Sequence, residues 1–140
     1  MLSEDYVVGL TDGEGSFTVY VRPPKKQHGA KSYRFECHYY LKMREDELPL
    51  LKELKKFFGC GRISFQKDKR KNHKDCYRFE VSDLENIKNR VIPLFKRKLP
   101  KSINRKKDFR IFCNIIGLLD KKQTKEGLKK IMKLKSEMHK

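Results

Sequence analysis

Hydrophobic and polar residues alternate most regularly in the segment YRFECHYYLKM, which ends at Met43. The odd-numbered positions from Phe35 to Met43 suit a core, whereas the even-numbered positions from Arg34 to Lys42 are polar, basic or aromatic. This period of two predicts a long strand with one buried face. Three shorter runs show the same alternation: FTVYVR from Phe17, RISFQKD from Arg62 and CYRFEV from Cys76. In the last two, the residues expected to point inward are Ile63, Phe65, Tyr77, Phe79 and Val81.

Predicted helices lie before, between and after the two pairs of strands. Ser3 is a suitable N-cap for a helix over about residues 3–12, because acids follow it in the first turn. Asp46 is predicted to cap a second helix, which Gly59 ends. Ser82 and Glu85 form a capping-box pattern for a third.

Proline and basic residues dominate the segment after the third helix. Pro93 and Pro100 are expected to bracket its exit, and Lys96 to Lys107 to form a basic linker. Asp108 is predicted to open a further helix and Thr124 to cap a last one, so that C-terminal helices cover about residues 107–138.

The order of elements is helix, two strands, helix, two strands, then helices. This order predicts one α+β domain over residues 1–140, with αββαββα topology and helices on one face of an antiparallel sheet. The other face of the sheet would be exposed.

The net charge of the chain indicates what kind of macromolecule it binds. The chain carries 35 Lys and Arg against 18 Asp and Glu, a formal charge of +17, and its pI is about 9.8. Such a charge favours a polyanion, usually a nucleic acid. Hydrophobic residues make up 37% of the chain, which argues against a disordered basic tail. No signal or membrane-spanning pattern is present, so the expectation is a soluble intracellular protein, in the cytoplasm, nucleoid or an organelle matrix.

Four cysteines are present, without a CxxC pair. His73 and Cys76 form an HxxC pair, but a zinc site usually needs two close ligand pairs. Buried reduced thiols are therefore the favoured interpretation.

The exposed sheet face is the predicted nucleic-acid surface. A solvated face explains alternating polar residues without any function. Here, however, the outward positions are rich in Arg, with Gln and Tyr among them. The loops that join the strands of each pair, RPPKKQHGAK and KDKRKNHKD, are also basic. A strand ribbon fits the major groove, where Arg and Gln can read base edges and Lys can hold phosphates.

The segment VVGLTDGEGSF, residues 7–17, places two acids among glycines at a predicted helix end. It can be a plain turn, or half of a calcium loop whose further ligands are missing. Gly9 within a short helix costs about 1 kcal/mol relative to Ala, which is explicable if another helix packs closely there. Asp12 and Glu14 oppose the helix dipole, and a divalent cation would resolve that conflict.

These residues resemble the LAGLIDADG motif of homing endonucleases. Gly9, Leu10, Asp12 and Gly15 match motif letters, and Glu14 is an acid in place of the second Asp. The resemblance extends through the element order, through LPLLKELKKFFGCGRI and into KKDFRIF.

The resemblance implies a homodimeric, site-specific, double-strand DNA endonuclease with a saddle-shaped sheet on the major groove. It implies a long pseudo-palindromic target, cut across the minor groove to leave short 3′ overhangs. Glu14 and the Gly13 carbonyl would hold a divalent metal, Mg²⁺ or alternatively Mn²⁺. Asp12 is assigned to the catalytic helix end and, with Tyr6, Gly9 and Leu10, to the dimer interface.

In the family a basic residue after the third helix assists catalysis. Lys98, Lys101 and Arg105 are the candidates here, and Arg44 is a weaker one. The expected DNA contacts are Thr18, Tyr20, Arg22, Lys25, Lys26, Arg34, Glu36, His38, Tyr40, Lys42, Arg44, Arg62, Ser64, Gln66, Lys67, Arg70, Arg78 and Glu80.

Three other functions remain open from the sequence. The same fold serves intron RNA maturases and non-cleaving DNA-binding regulators, so intron RNA is an alternative partner. A basic ribosome-associated protein is a more distant alternative. Retention of the acid at Glu14 favours catalysis, since a pure binder has no need of it.

Overall fold

The computed structural model describes residues 1–24, 33–121 and 123–140. Its first helix, α1 (Glu4–Glu14), begins at the Ser3 cap, whose hydroxyl accepts the Tyr6 N–H at 3.1 Å. The helix therefore extends two residues beyond its predicted end and includes both acids of the motif.

Four antiparallel strands form one sheet in the order β1-β2-β4-β3. The strands are β1 (Gly15–Arg22), β2 (Arg34–Arg44), β3 (Arg62–Gln66) and β4 (Cys76–Val81). All four were predicted, with bounds shifted by two residues at most, and the α+β class is confirmed.

The helices after β2 differ from the prediction mainly at their ends. A 3-10 turn, Glu45–Glu47, precedes α2 (Leu48–Phe58), and no side chain caps this helix. The prediction of Asp46 as its cap was wrong, because Asp46 lies inside that turn. Gly59 does end α2, with a φ of 69° that favours glycine.

The third helical segment continues through Pro93. It consists of α3 (Leu84–Asn86), a π-helical turn (Ile87–Val91) and α4 (Ile92–Arg97). Asp83, not Ser82, is the cap, since its carboxylate accepts the Asn86 N–H at 3.3 Å. The predicted exit at Pro93 was also wrong, because proline is tolerated in the first turn of a helical segment, where its missing N–H has no partner to lose.

The last two helices are α5 (Ile103–Leu119) and α6 (Lys125–Ser136). α5 begins five residues before Asp108, and Ser102 is its cap, so the predicted start was wrong and the predicted linker is half helical. Thr124 caps α6 as predicted, accepting the Gly127 N–H at 3.0 Å.

The core lies between one sheet face and the helices, and aromatic rings fill its centre. Phe17 packs against Phe95, Phe109 and Phe112 at ring-centroid distances of 5.2–5.4 Å. Phe65 is on this face, beside Tyr77, but it is 51% exposed because it lies beyond the helical layer. The expectation that it is buried was wrong, although its side of the sheet was right.

All four cysteines are free, as predicted, but the expectation that they are buried holds only for Cys37, since the other three are half-buried. Burial raises the pKa of the Cys37 and Cys113 thiols to about 11, so neither is a reactive thiolate near neutral pH. None of the helices in the described ranges combines the length and apolar character needed to cross a bilayer.

Candidate active site and nucleic-acid interface

A tight junction between α1 and β1 fixes the position of Glu14. A side chain at Gly15 would place its Cβ 2.6 Å from Thr11 Cγ2 and 2.9 Å from Thr11 backbone atoms, so only glycine fits. The Thr11 hydroxyl is buried and lies 2.7 Å from the Tyr39 hydroxyl. This hydrogen bond ties the end of α1 to the centre of the sheet, and the apolar pattern gave no sign of it.

Glu14 is exposed at the edge of a cleft that also contains cations from other elements. Lys42 and Arg44 of β2 line this cleft, as does Arg70 of the β3–β4 loop. Arg70 binds Asp68 through its Nε and a terminal nitrogen, at 3.1 and 2.9 Å. That hydrogen bonding lowers the pKa of Asp68. The structure thus brings Glu14 close to basic groups that could hold a phosphate.

Asp12 has a different set of contacts. Its two carboxylate oxygens accept the backbone N–H groups of Lys101 and Ser102, at 3.0 and 3.2 Å. The carboxylate therefore anchors the start of α5 to α1. Because both of its oxygens already accept hydrogen bonds, it has fewer free lone pairs for binding a metal than an exposed carboxylate has.

The predicted basic residues of the α4–α5 turn lie beside Asp12. Lys98 and Lys101 line a second cleft, along one side of α1, together with Asp5 and Gly9. Lys98 donates to Asp5 at 2.8 Å, and this hydrogen bond lowers the pKa of Asp5. The Nε of Arg105 is buried and has no hydrogen-bond partner within the described residues.

The metal predicted for this site would need ligands from outside a single chain. Across residues 1–24, 33–121 and 123–140, no three His, Cys, Asp or Glu side chains converge on a common point. Glu14 and the exposed Gly13 carbonyl are hard oxygen donors of the kind that Mg²⁺ prefers. They fit part of a site that phosphate, water or a second copy would complete.

The strand register places the predicted contact residues of the strands on one sheet face. Tyr40 is opposite Ser16 on one side and Glu80 on the other, and Glu80 is opposite Arg62. Other residues of this face are also opposite one another on neighbouring strands. These cross-strand neighbours are Thr18 with His38, Tyr20 with Glu36, Arg22 with Arg34, Lys42 with Arg78 and Ser64, and Arg44 with Cys76 and Gln66. We call this the open face. Lys25 and Lys26, also predicted contacts, lie outside the described residues, and Lys67 follows β3.

A buried carboxylate organises the centre of the open face. Glu80 is 5% exposed and is surrounded by three cationic or ionisable groups. Its oxygens lie 2.7 Å from an Arg78 nitrogen, 3.2 Å from an Arg62 nitrogen and 3.1 Å from His38 Nδ1. The Arg78 guanidinium also stacks on the Tyr40 ring, 3.5 Å from its centroid. We call these five residues the Glu80 cluster.

The pKa of Glu80 reflects two opposing influences. Burial raises it, but the nearby His38, Arg78 and Arg62 outweigh burial, so the pKa lies below its ordinary value. The carboxylate is ionised at neutral pH. Because its side chain is enclosed, Glu80 orients its neighbours, and direct contact with a large ligand would require those neighbours to move.

One stripe of α1 faces outward, opposite to its buried side of Val7, Val8 and Thr11. Tyr6 is 47% exposed on this stripe, and a Cβ built at Gly9 or Gly13 would meet nothing within 4 Å. Packing within the chain therefore gives no reason for glycine at position 9.

Comparison with known proteins agrees with this geometry. The family model described as LAGLIDADG endonuclease matches residues 7–116. The chain belongs to the LAGLIDADG endonuclease family. The matched range includes most of α1, the whole sheet and most of α5.

Two curated relatives of this LAGLIDADG chain come from Neurospora crassa. "Probable intron-encoded endonuclease 2" is 29% identical over 142 residues, covering 99% of this chain and 29% of the relative. "Probable intron-encoded endonuclease 3" is 27% identical over 134 residues, covering 94% and 24%. The chain thus spans about a quarter of the length of these relatives, 29% of one and 24% of the other.

Solved structures share the fold. The homing endonuclease I-TnaI is 32% identical with a TM-score of 0.83, and the match covers 99% of this chain and 89% of that one. I-SmaMI bound to an uncleaved DNA target in the presence of calcium ions is 26% identical with a TM-score of 0.84, covering 99% and 45%.

Proposed function

We propose that this chain is the DNA-binding and catalytic unit of a site-specific, metal-dependent, double-strand DNA endonuclease. Two copies would act together on a long pseudo-palindromic site and leave short 3′ overhangs. The observation that carries the proposal is the exposed Glu14 carboxylate, which lines a cleft beside the open face together with Lys42, Arg44 and Arg70. The same cleft contains the carboxylates of Asp46, Glu47 and Asp68, so both cations and acids surround Glu14.

The junction at Gly15 supports a catalytic role for Glu14. Sterics and the buried Thr11–Tyr39 hydrogen bond hold the end of α1, so the carboxylate is presented from a rigid element. Glu14 and the Gly13 carbonyl would hold a divalent metal, Mg²⁺ or alternatively Mn²⁺. A bound metal supplies an activated water and stabilises the negative charge that develops on the phosphate.

Basic side chains would orient the scissile phosphodiester. Lys42, Arg44 and Arg70 share the cleft with Glu14 and can neutralise phosphate oxygens. Lys98, Lys101 and Arg105 remain candidates for assisting the reaction, acting from the Asp12 side of α1. Asp12 itself would serve the catalytic helix end by holding the turn that carries Lys101.

The outward stripe of α1 supports association of two copies. A Cβ at Gly9 would meet no atom of the described residues within 4 Å, and a glycine at this position lets a second helix approach closely. Tyr6, Leu10 and Asp12 flank it. Pairing about α1 would bring two Glu14 carboxylates near each other, as two cuts in one duplex require.

The partner we propose is duplex DNA, with the open face in its major groove. The Arg, Lys, Gln and Tyr side chains of that face supply both base-reading and phosphate-holding groups. Intron RNA would be the partner under the non-cleaving alternative.

The test is selection of cleaved ends from a random duplex DNA library in magnesium, using the wild-type chain and Glu14→Gln. We expect a recurring, roughly palindromic site with short 3′ overhangs from the wild type and none from the variant. DNA affinity should be unchanged. Glu53→Gln is the matched control, because Glu53 is exposed on α2 and takes no part in the proposed site.

Undiminished cutting by Glu14→Gln would refute the metal assignment. Tight binding without cutting by any form, in magnesium or manganese, would favour a maturase or a DNA-binding regulator. A chelator should abolish cleavage and leave binding intact.

A further inference from the structure

A buried carboxylate on α5 holds a histidine at the outer edge of the sheet. Asp108 is only 2% exposed and directly precedes the core residue Phe109 on α5. Its Oδ1 accepts the backbone N–H of His139 at 3.0 Å, and its Oδ2 lies 3.1 Å from His139 Nδ1. Both oxygens are thus used to fix one residue that is 31 positions away.

The backbone of His139 confirms how strongly this residue is fixed. Its φ is 61°, in the left-handed region that non-glycine residues seldom occupy. The preceding Met138 is 6% exposed and packs into the core. The imidazole itself remains 45% exposed, so the chain anchors the residue while leaving the ring accessible.

The free side of the ring points toward hydroxyl groups of β1. His139 Nε2 lies 3.4 Å from Thr18 Oγ1, which in turn lies 2.8 Å from Ser16 Oγ. Ser16 and Thr18 belong to the open face, and β1 is an edge strand of the sheet. One imidazole and two hydroxyls therefore converge where the open face meets its outer border.

A buried carboxylate needs a hydrogen-bonding partner, and the His139 imidazole is the side chain that this geometry provides. With Nδ1 facing the carboxylate, Nε2–H is directed outward and can donate to an anion. The charged group facing His139 is Asp108 on α5, whereas Lys107 of α5 binds the carbonyl of residue 140, and Ser16 and Thr18 are uncharged.

We infer that His139, Thr18 and Ser16 form a binding site for a phosphate group of the DNA backbone, with Asp108 as the residue that positions the imidazole. The inference rests on the proposed function, because it requires DNA on the open face. Imidazolium and hydroxyl donors are typical phosphate contacts and carry no base information. The site would hold the DNA backbone against β1, about 10 Å along the strand from Glu14.

The test compares the salt dependence of binding to a mixed-sequence DNA duplex for the wild type and His139→Gln, without metal. One lost phosphate contact makes the slope of log affinity against log salt shallower by about 0.9. Between about 50 and 200 mM salt, we therefore expect the DNA affinity of the wild type to fall about threefold to fourfold more than that of His139→Gln.

Two further variants separate this role from a structural one. Thr18→Val should also weaken binding, because a hydroxyl donor is lost. Ser136→Ala, an exposed uncharged change in the same part of the chain, should match the wild type. Thermal melting should show that all of the variants are folded.

Equal slopes for the wild type and His139→Gln would overturn the inference and leave Asp108 as a structural anchor. In that case the DNA-binding proposal stands, since the duplex still binds. Failure of the wild-type chain to bind the duplex would overturn both.

Discussion

Neutralising the central carboxylate of the open face is the most informative single change. In Glu80→Gln, the amide keeps one acceptor oxygen but removes the charge that three neighbours share. Arg62 is 73% exposed and can turn to water, so its contact contributes less than about 1 kcal/mol. Arg78 and His38 are only 20% and 14% exposed and would be left less well compensated.

We therefore expect Glu80→Gln to lower the free energy of unfolding by about 2 kcal/mol. This value lies between the limit for exposed pairs, about 1 kcal/mol, and the 3–5 kcal/mol typical of breaking fully buried pairs. At about 2–4 °C per kcal/mol, the melting temperature should fall by about 4–8 °C.

The pH dependence gives the sign of the effect. The pKa of Glu80 is lowered in the folded chain, so its stabilisation is complete above the ordinary glutamate pKa and is lost as pH falls through the lowered value. The gap between the two melting temperatures should close below about pH 4.

The assay is thermal unfolding followed by circular dichroism, with Glu36→Gln as the matched control. Glu36 is on the same face and pairs with Arg22 at 3.1 Å, but both side chains are about half exposed, so its loss should shift the melting temperature little. Equal shifts for the two variants, or a gap that persists in acid, would refute the reasoning.

Three other predictions concern α1. Gly9→Ala should stabilise the isolated chain by up to about 1 kcal/mol, because its Cβ meets nothing, yet weaken self-association measured by analytical ultracentrifugation; an unchanged association constant would contradict the dimer proposal. Gly15→Ala should destabilise the chain by more than about 1 kcal/mol in chemical denaturation, since its Cβ would overlap Thr11; a neutral result would show that the junction can relax. Asp12→Asn should lower stability by about 1 kcal/mol in the same assay, because its amide keeps only one acceptor for the backbone of α5; no loss would mean that this anchor is dispensable.

Local patterns predicted the sheet well because each strand has a core face and an exposed face. Cys37, Tyr39 and Leu41 are buried as their period of two indicated. The same pattern could not show where the helical layer ends, which is why Phe65 is exposed on the correct side. Burial depends on which elements cover a position, and alternation records only which side it is on.

Errors at helix ends have a related cause. Asp46 and Ser82 have the right chemistry for caps, but neighbouring residues take that role or a 3-10 turn replaces it. Asp108 suited a helix start by its type, yet its carboxylate binds His139, which is 31 residues away. A capping residue chosen from sequence is a local inference, whereas the Asp108 carboxylate is placed by a contact that forms only when the chain folds.

The site was predicted unevenly for the same reason. The position of Glu14 beside a glycine-rich junction follows from the motif itself. Its proximity to Arg70 required the β3–β4 loop to fold back toward α1, and the enclosure of Glu80 required three strands in register. Residues from different elements meet at these points, so no single segment of sequence carries the information.

The strict alternation along β2 has a consequence for how target preference could evolve. Residues such as Glu36 and Lys42 alternate along β2 with core residues but take no part in the packing of the core. Single substitutions at these positions can therefore alter recognition while the fold is kept. The Glu80 cluster is different, because Arg62 and Arg78 share one carboxylate and Arg78 also stacks on Tyr40. Evolution toward a new target could therefore proceed by single substitutions at the positions around this cluster. Within the cluster, it would need several compensating substitutions at once.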